Sequence, residues 1–118
     1  MDNDAFVLRA IIKYCTDIEN AMDRFGNDEE SFLEDIEYQY TCSFCIAQIG
    51  EIVKRLSFEL TEKYKEISWS KIAKMRDFLS HSYHNINLST VWKAISRDVP
   101  SLKEVCERIL RDIEDEGR

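Results

Sequence analysis

The chain has 118 residues, with 16 Lys and Arg against 23 Asp and Glu, a net charge of −7. An apolar fraction of 44%, a charged fraction of 33% and only 3 Gly and 1 Pro exclude a loop-rich sandwich, a barrel or a disordered chain, and leave a helical domain with a charged exterior. The acidic balance excludes a protein that coats nucleic acid by charge alone, while leaving room for a small local cationic site.

From Asp4 to Phe25, the residues Phe6, Val7, Ala10, Ile11, Tyr14, Cys15, Ile18, Ala21, Met22 and Phe25 recur in steps of three and four. That spacing predicts an amphipathic helix, closed by Gly26-Asn27 because Gly enters the left-handed region at no steric cost. Asp28 to Asp35 reads as an acidic linker with a helical turn anchored by Phe32 and Leu33. A second long helix is predicted from Ile36 to Ser57, with Tyr38, Cys42, Cys45, Ile46, Ile49, Val53 and Leu56 inward. Gly50 lies inside it. A mid-helix Gly costs about 1 kcal/mol against Ala, so it marks the close approach of another backbone.

Phe58 to Ser68 is short and charged, with Leu60, Tyr64 and Ile67 as anchors. A third helix starts near Trp69 on the stripe Trp69, Ile72, Ala73, Arg76, Leu79, Ser80 and Tyr83, and one member of that stripe is an arginine. His84 to Asn87 reads as a turn. Leu88 to Arg97 reads as a short helix with Val91, Trp92 and Ile95 inward, and Pro100 suits the first position of a last helix carrying Leu102, Val105, Cys106, Ile109, Leu110 and Ile113. The expectation is one domain spanning residues 1–118, an all-α antiparallel bundle of four to five helices. No apolar run reaches membrane-span length, and the acidic opening Met1-Asp2-Asn3-Asp4 is unlike a signal peptide. A cytoplasmic chain with reduced thiols and no membrane partner is expected.

The chemistry concentrates between Lys74 and Asn85, which holds both histidines. Arg76 on an apolar stripe needs an acceptor or an anion, because a guanidinium stays charged. At about 100° per residue, Tyr83 returns to the face of Arg76, whereas His81 lies about 140° away. Arg76 and His81 can share a ligand only if the helix loosens near Ser80 or if a second copy brings its residues across a two-fold axis. Such a cluster suits phosphodiester cleavage without metal. His81 can move a proton at a ribose 2′-hydroxyl or a leaving oxygen, Arg76 can hold phosphate oxygens, and Tyr83 can orient the phosphate or stack on a base. Asp77 can orient Arg76, and Lys71, Lys74 and His84 are candidate RNA contacts. The competing reading has Arg76 pairing with a core carboxylate and His81 capping a helix. Cys42-Ser43-Phe44-Cys45 has C-x-x-C spacing, but its cysteines fall on a helical apolar stripe and suit packing better than zinc or redox chemistry. No metal or cofactor is expected.

The stretch Ile67-Ser68-Trp69-Ser70-Lys71-Ile72-Ala73-Lys74-Met75-Arg76-Asp77, running on to His81-Ser82-Tyr83, resembles the HepT subgroup of HEPN-domain proteins. The pattern there is Arg, four residues, His, any residue, Tyr, after a "W…IA.MR" stretch. Ile49-Gly50-Glu51 looks like the family's "IIGEA" helix, and Val91-Trp92 and Asp98 to Leu102 extend the likeness over most of the chain. The resemblance implies a helical homodimer, the toxin of a toxin–antitoxin pair, acting as a metal-independent endoribonuclease on RNA, not DNA. It implies Arg76 and His81 as catalytic residues at a dimer cleft, Asp77 as their support, and Tyr83 as the acceptor of AMP from a partner minimal nucleotidyltransferase antitoxin (MntA, of the MNT type). Ser82 stands where the family often has Gly, Asp77 where Asn is common, and His84 is an added imidazole. The alternative is a non-catalytic module that docks a nucleotidyltransferase or a nucleotide.

Overall fold

The computed structural model describes residues 2–80 and 87–117. Two long helices, α1 (Asp2–Phe25) and α3 (Ile36–Val53), lie antiparallel: Tyr14 meets Phe44 edge-on with ring centroids 6.3 Å apart, and Phe25 stacks on Tyr38 at 5.2 Å. Between them runs the short α2 (Glu29–Glu34). The turn forms where expected: Gly26 has φ +124° and its N–H donates to the Met22 carbonyl at 3.0 Å. The Tyr38 hydroxyl donates to the Gly26 carbonyl at 3.0 Å and ties the turn to α3. All seven residues predicted to face inward from the second helix are buried.

The acidic linker is a capped helix. Asp28 accepts from the Ser31 N–H at 2.8 Å and opens α2, and Asp35 accepts from the Glu37 and Tyr38 N–H groups and opens α3. Phe32 is fully buried against Tyr38 and Trp92, whereas Leu33 is exposed and anchors nothing. The second helix ends at Val53 rather than Ser57, because Ser57 caps the next helix, α4 (Phe58–Lys63). Asp4, a buried carboxylate of α1, accepts from the Ser57 N–H at 2.8 Å and from its hydroxyl at 2.6 Å, fixing α4 to the start of α1.

The predicted third helix is two helices, α5 (Trp69–Lys74) and α6 (Asp77–Ser80), separated by a turn at Met75–Arg76. Hydrogen bonds of the tighter i→i+3 kind join Met75 N–H to the Ile72 carbonyl and Leu79 N–H to the Arg76 carbonyl, both at 3.1 Å. Residues 88–116 form one continuous helical run. Asn87 caps α7 (Leu88–Lys93), a π turn occupies Ala94–Asp98, and α8 (Val99–Glu116) follows. Pro100 falls in the opening turn of α8, as expected, and the segment before it is a π turn rather than open chain.

α8 lies antiparallel to α1, linked by Lys103–Glu19 and Arg9–Glu114 ion pairs. The buried residues form one cluster to which every element contributes. Among the described residues the protein is all helical, and none of its helices is long and apolar enough to cross a membrane.

Candidate nuclease site

The site starts with a glycine. A Cβ built on Gly50 would stand 3.0 Å from the Arg76 Cβ, 3.2 Å from the Ala73 carbonyl oxygen and 3.4 Å from the Arg76 nitrogen. The bare position lets the end of α5 settle against the middle of α3, which is the close approach that a mid-helix Gly announces. The backbone of Arg76 is thereby held over α3 at the break between α5 and α6.

The break also redistributes the predicted stripe. Trp69, Ile72, Met75 and Leu79 are the buried members. Met75 takes the inward place assigned to Arg76, and Arg76 flanks the stripe with its side chain 42% exposed. Its Nη1 pairs with Oε1 of Glu51, whose side chain is 45% exposed. This partner is not a core carboxylate, so the burial half of the competing reading does not hold. The carboxylate also meets Lys54 Nζ at 3.4 Å. Glu51 is the site residue that helical periodicity misses, since its partner is near in space and distant in sequence; the signal available was the adjacent Gly50.

Asp77 is exposed at the first position of α6. Lys71 and Lys74 are exposed in the last turn of α5. Lys71 lines an open hollow with Ser68, Glu66, Asp98 and Ser101. Arg76, Asp77 and Lys74 are thus grouped at the α5–α6 junction. The predicted His81, Tyr83 and His84 lie outside the described residues.

α3 carries a second apolar face that the sequence reading passed over. Ile36, Tyr40 and Phe44, four residues apart, are 57%, 67% and 58% exposed. At about 100° per residue, Ala47 and Glu51 continue the same side of the helix. The exposed apolar strip therefore leads along α3 to the Glu51–Arg76 pair.

The four cysteines, Cys15, Cys42, Cys45 and Cys106, are free and buried. Burial pushes the Cys42 and Cys106 thiols up to about 12 and that of Cys45 to about 11, and raises Cys15 as well. Such thiols are poor nucleophiles at neutral pH. Among the described residues no group of three or more His, Cys, Asp or Glu side chains is placed to hold a metal ion. The C-x-x-C pair is core packing.

The profile of the family described as Ribonuclease HepT-like matches residues 11–109. Two Methanocaldococcus jannaschii proteins, each named provisionally as an RNase, are similar along their length. One is 33% identical over 89% of this chain and 89% of its own, the other 34% identical over 88% and 84%. A Thermococcus cleftensis protein, named provisionally as ribonuclease HepT, is 34% identical over 68% of this chain and 73% of its own. No solved structure matches the chain. The matched span contains the Gly50–Glu51 step of α3, the α5–α6 break and Arg76, and on that match the chain belongs to the Ribonuclease HepT-like family.

Proposed function

We propose that the chain is the toxin of a toxin–antitoxin pair, a metal-independent endoribonuclease whose site is completed by a second copy of itself. The observation that carries this reading is the placement of Arg76. Its guanidinium is half-exposed at a helix break, held by a carboxylate of α3, at the end of an exposed apolar strip and five positions before His81. The strip of Ile36, Tyr40 and Phe44 supports a homodimer, because contiguous exposed apolar surface favours association. The net charge of −7 supports recognition through a local groove rather than general attraction to RNA.

In this reading His81 accepts the proton of a ribose 2′-hydroxyl. The O2′–phosphorus bond forms as the phosphorus–O5′ bond breaks, and the second copy's histidine gives a proton to the departing 5′ oxygen. Arg76 stabilises the negative charge that grows on the non-bridging oxygens. The products are a 2′,3′-cyclic phosphate and a 5′-hydroxyl. Asp77 supports the arginine, and Lys71, Lys74 and His84 contact the RNA strand. Silencing comes from a partner minimal nucleotidyltransferase. The Tyr83 hydroxyl gives its proton to a base of the nucleotidyltransferase as its oxygen attacks the α-phosphorus of ATP, pyrophosphate leaves, and the bulky anionic AMP blocks the groove.

The test is RNA cleavage in EDTA with the wild type, Arg76→Ala and His81→Ala, with intact mass followed on the same samples before and after ATP and the nucleotidyltransferase. The expected result is cleavage by the wild type alone, lost as mass rises by AMP units on Tyr83. An unmodified wild type that never cuts RNA but still binds the nucleotidyltransferase identifies the chain as a docking module instead.

A further inference from the structure

We infer that Glu51 is a positioning residue for the reaction, setting the direction in which Arg76 presents its guanidinium to the phosphate. This rests on the reading of Arg76 as the phosphate-holding group.

An arginine side chain is long and flexible, and a half-exposed one samples many rotamers. Here both ends are fixed by consecutive residues of one helix. Gly50 admits Arg76 against α3, since a Cβ there would stand 3.0 Å from the Arg76 Cβ and 3.4 Å from its backbone nitrogen. Glu51, the next residue, takes the guanidinium through Nη1. α3 is a firm base for this, since Ile49 and Val53, on either side of the pair, are buried. Functional side chains are placed more accurately from helices than from loops.

The pair does little for the fold. Both side chains are more than two-fifths exposed, and ion pairs of that exposure contribute little to stability. Its effect is directional. A guanidinium has five N–H donors in a rigid plane, and one carboxylate oxygen on Nη1 leaves the opposite edge for a phosphate oxygen. Glu51 also adds a negative charge beside that edge, which weakens capture of a phosphate in the ground state. Removing it therefore separates two quantities: binding is kept or improved, while alignment is lost.

The experiment compares the full-length wild type with Glu51→Ala, Glu51→Gln and Glu116→Ala. The last removes a more exposed surface ion pair, Lys63–Glu116, with the same change in net charge. Cleavage of an RNA substrate gives kcat and KM. The binding probe is an oligonucleotide of the same sequence with 2′-O-methyl groups. Side-chain nitrogen NMR of Arg76 reports how freely its guanidinium rotates. Glu51→Ala should lower kcat about ten- to a hundredfold, the scale of a catalytic group misplaced by about an ångström, with KM unchanged or lower. Glu51→Gln keeps an acceptor oxygen and should recover part of the loss, and Glu116→Ala should match the wild type.

A Glu51→Ala kcat within twofold of wild type overturns the inference. So does a loss matched by Glu116→Ala, or one accompanied by a proportionate rise in KM and weaker probe binding. If the wild type cuts no RNA, the nuclease reading fails by itself and the NMR decides the positioning. Slow guanidinium rotation in the wild type that becomes fast in Glu51→Ala supports it, and unchanged rotation overturns it.

Discussion

Gly50→Ala tests the geometry on which the site stands, because two effects of known size oppose each other there. Alanine in a helix interior is favoured over glycine by about 0.8–1 kcal/mol. Against this, the new methyl would meet the Arg76 Cβ at 3.0 Å and the Ala73 carbonyl oxygen at 3.2 Å. One of these atoms is backbone and the other lies one bond from it, so a rotamer change does not relieve the contact. The α5–α6 junction must move by a few tenths of an ångström, and overpacking of this kind costs about 1–3 kcal/mol. The net expectation is a destabilisation of about 1 kcal/mol, or roughly 4 °C in the unfolding midpoint for a chain of this size. Cleavage should fall by more than stability does, about tenfold or beyond, because the movement carries Arg76 away from Glu51. Thermal unfolding by circular dichroism and RNA cleavage in EDTA, on one preparation, give both numbers. A variant stabilised by the full 1 kcal/mol with cleavage unchanged would refute the claim that α5 rests closely on α3.

The remaining expectations concern the scaffold. Asp4→Ala leaves the Ser57 N–H without the carboxylate that accepts from it at 2.8 Å, and should cost about 2 kcal/mol in a urea titration; a loss under 0.5 kcal/mol contradicts the anchoring role. Tyr38→Phe removes the 3.0 Å bond to the Gly26 carbonyl but keeps the ring contacts, and should cost about 1 kcal/mol by the same measurement. The buried thiols predict an alkaline limb. The unfolded chain releases thiol protons near pH 8.5, whereas folded Cys45 holds its proton to about 11 and Cys42 and Cys106 to about 12. Their contribution is complete below about pH 8.5 and is lost as pH rises toward 11 and 12, with a slope approaching about 1.4 kcal/mol per pH unit for each thiol. Urea midpoints in reductant between pH 8 and 10.5 should fall accordingly, and Cys45→Ala should flatten the slope by one thiol; a level profile argues against burial of the protonated form.

The long helices were legible because their apolar period persists for many turns. On α3, Tyr38, Cys42, Cys45, Ile46, Ile49 and Val53 form a run that no strand or loop would sustain, and all are buried. Gly50 was legible for a related reason: a residue that weakens a helix is kept where something must come close. The short helices are set by single side chains, Asp28, Ser57 and Asn87, and at Asp28 and Ser57 the capping bonds override the acidic or charged character of the stretches they open. The break at Met75–Arg76 left no mark in the periodicity, since Met75 and Arg76 are adjacent and either fits a step of three or four. Glu51 could not be assigned from spacing, because its partner lies 25 positions away. His81 and Tyr83 rest on the family pattern.

The π turn bears on how this chain tolerates changes in length. Its hydrogen bond runs from the Val99 N–H to the Ala94 carbonyl, one residue further back than in an α-helix. The wider turn holds Val91, Ile95 and Val99, spaced by four, toward the interior, where all three are buried. Regular helix would let them drift by about 40° at each step. The segment thus stores one surplus residue without disturbing the phase on either side. Loss of the exposed Arg97 would close the turn into ordinary helix and leave Leu102, Cys106 and Ile109 on their present side. The same deletion in the middle of α1 would swing every later side chain by about 100° and take its stripe off the core. Insertions and deletions among relatives are therefore expected to collect at 94–98, so alignments of this family should be gapped there before they are gapped anywhere inside α1 or α3.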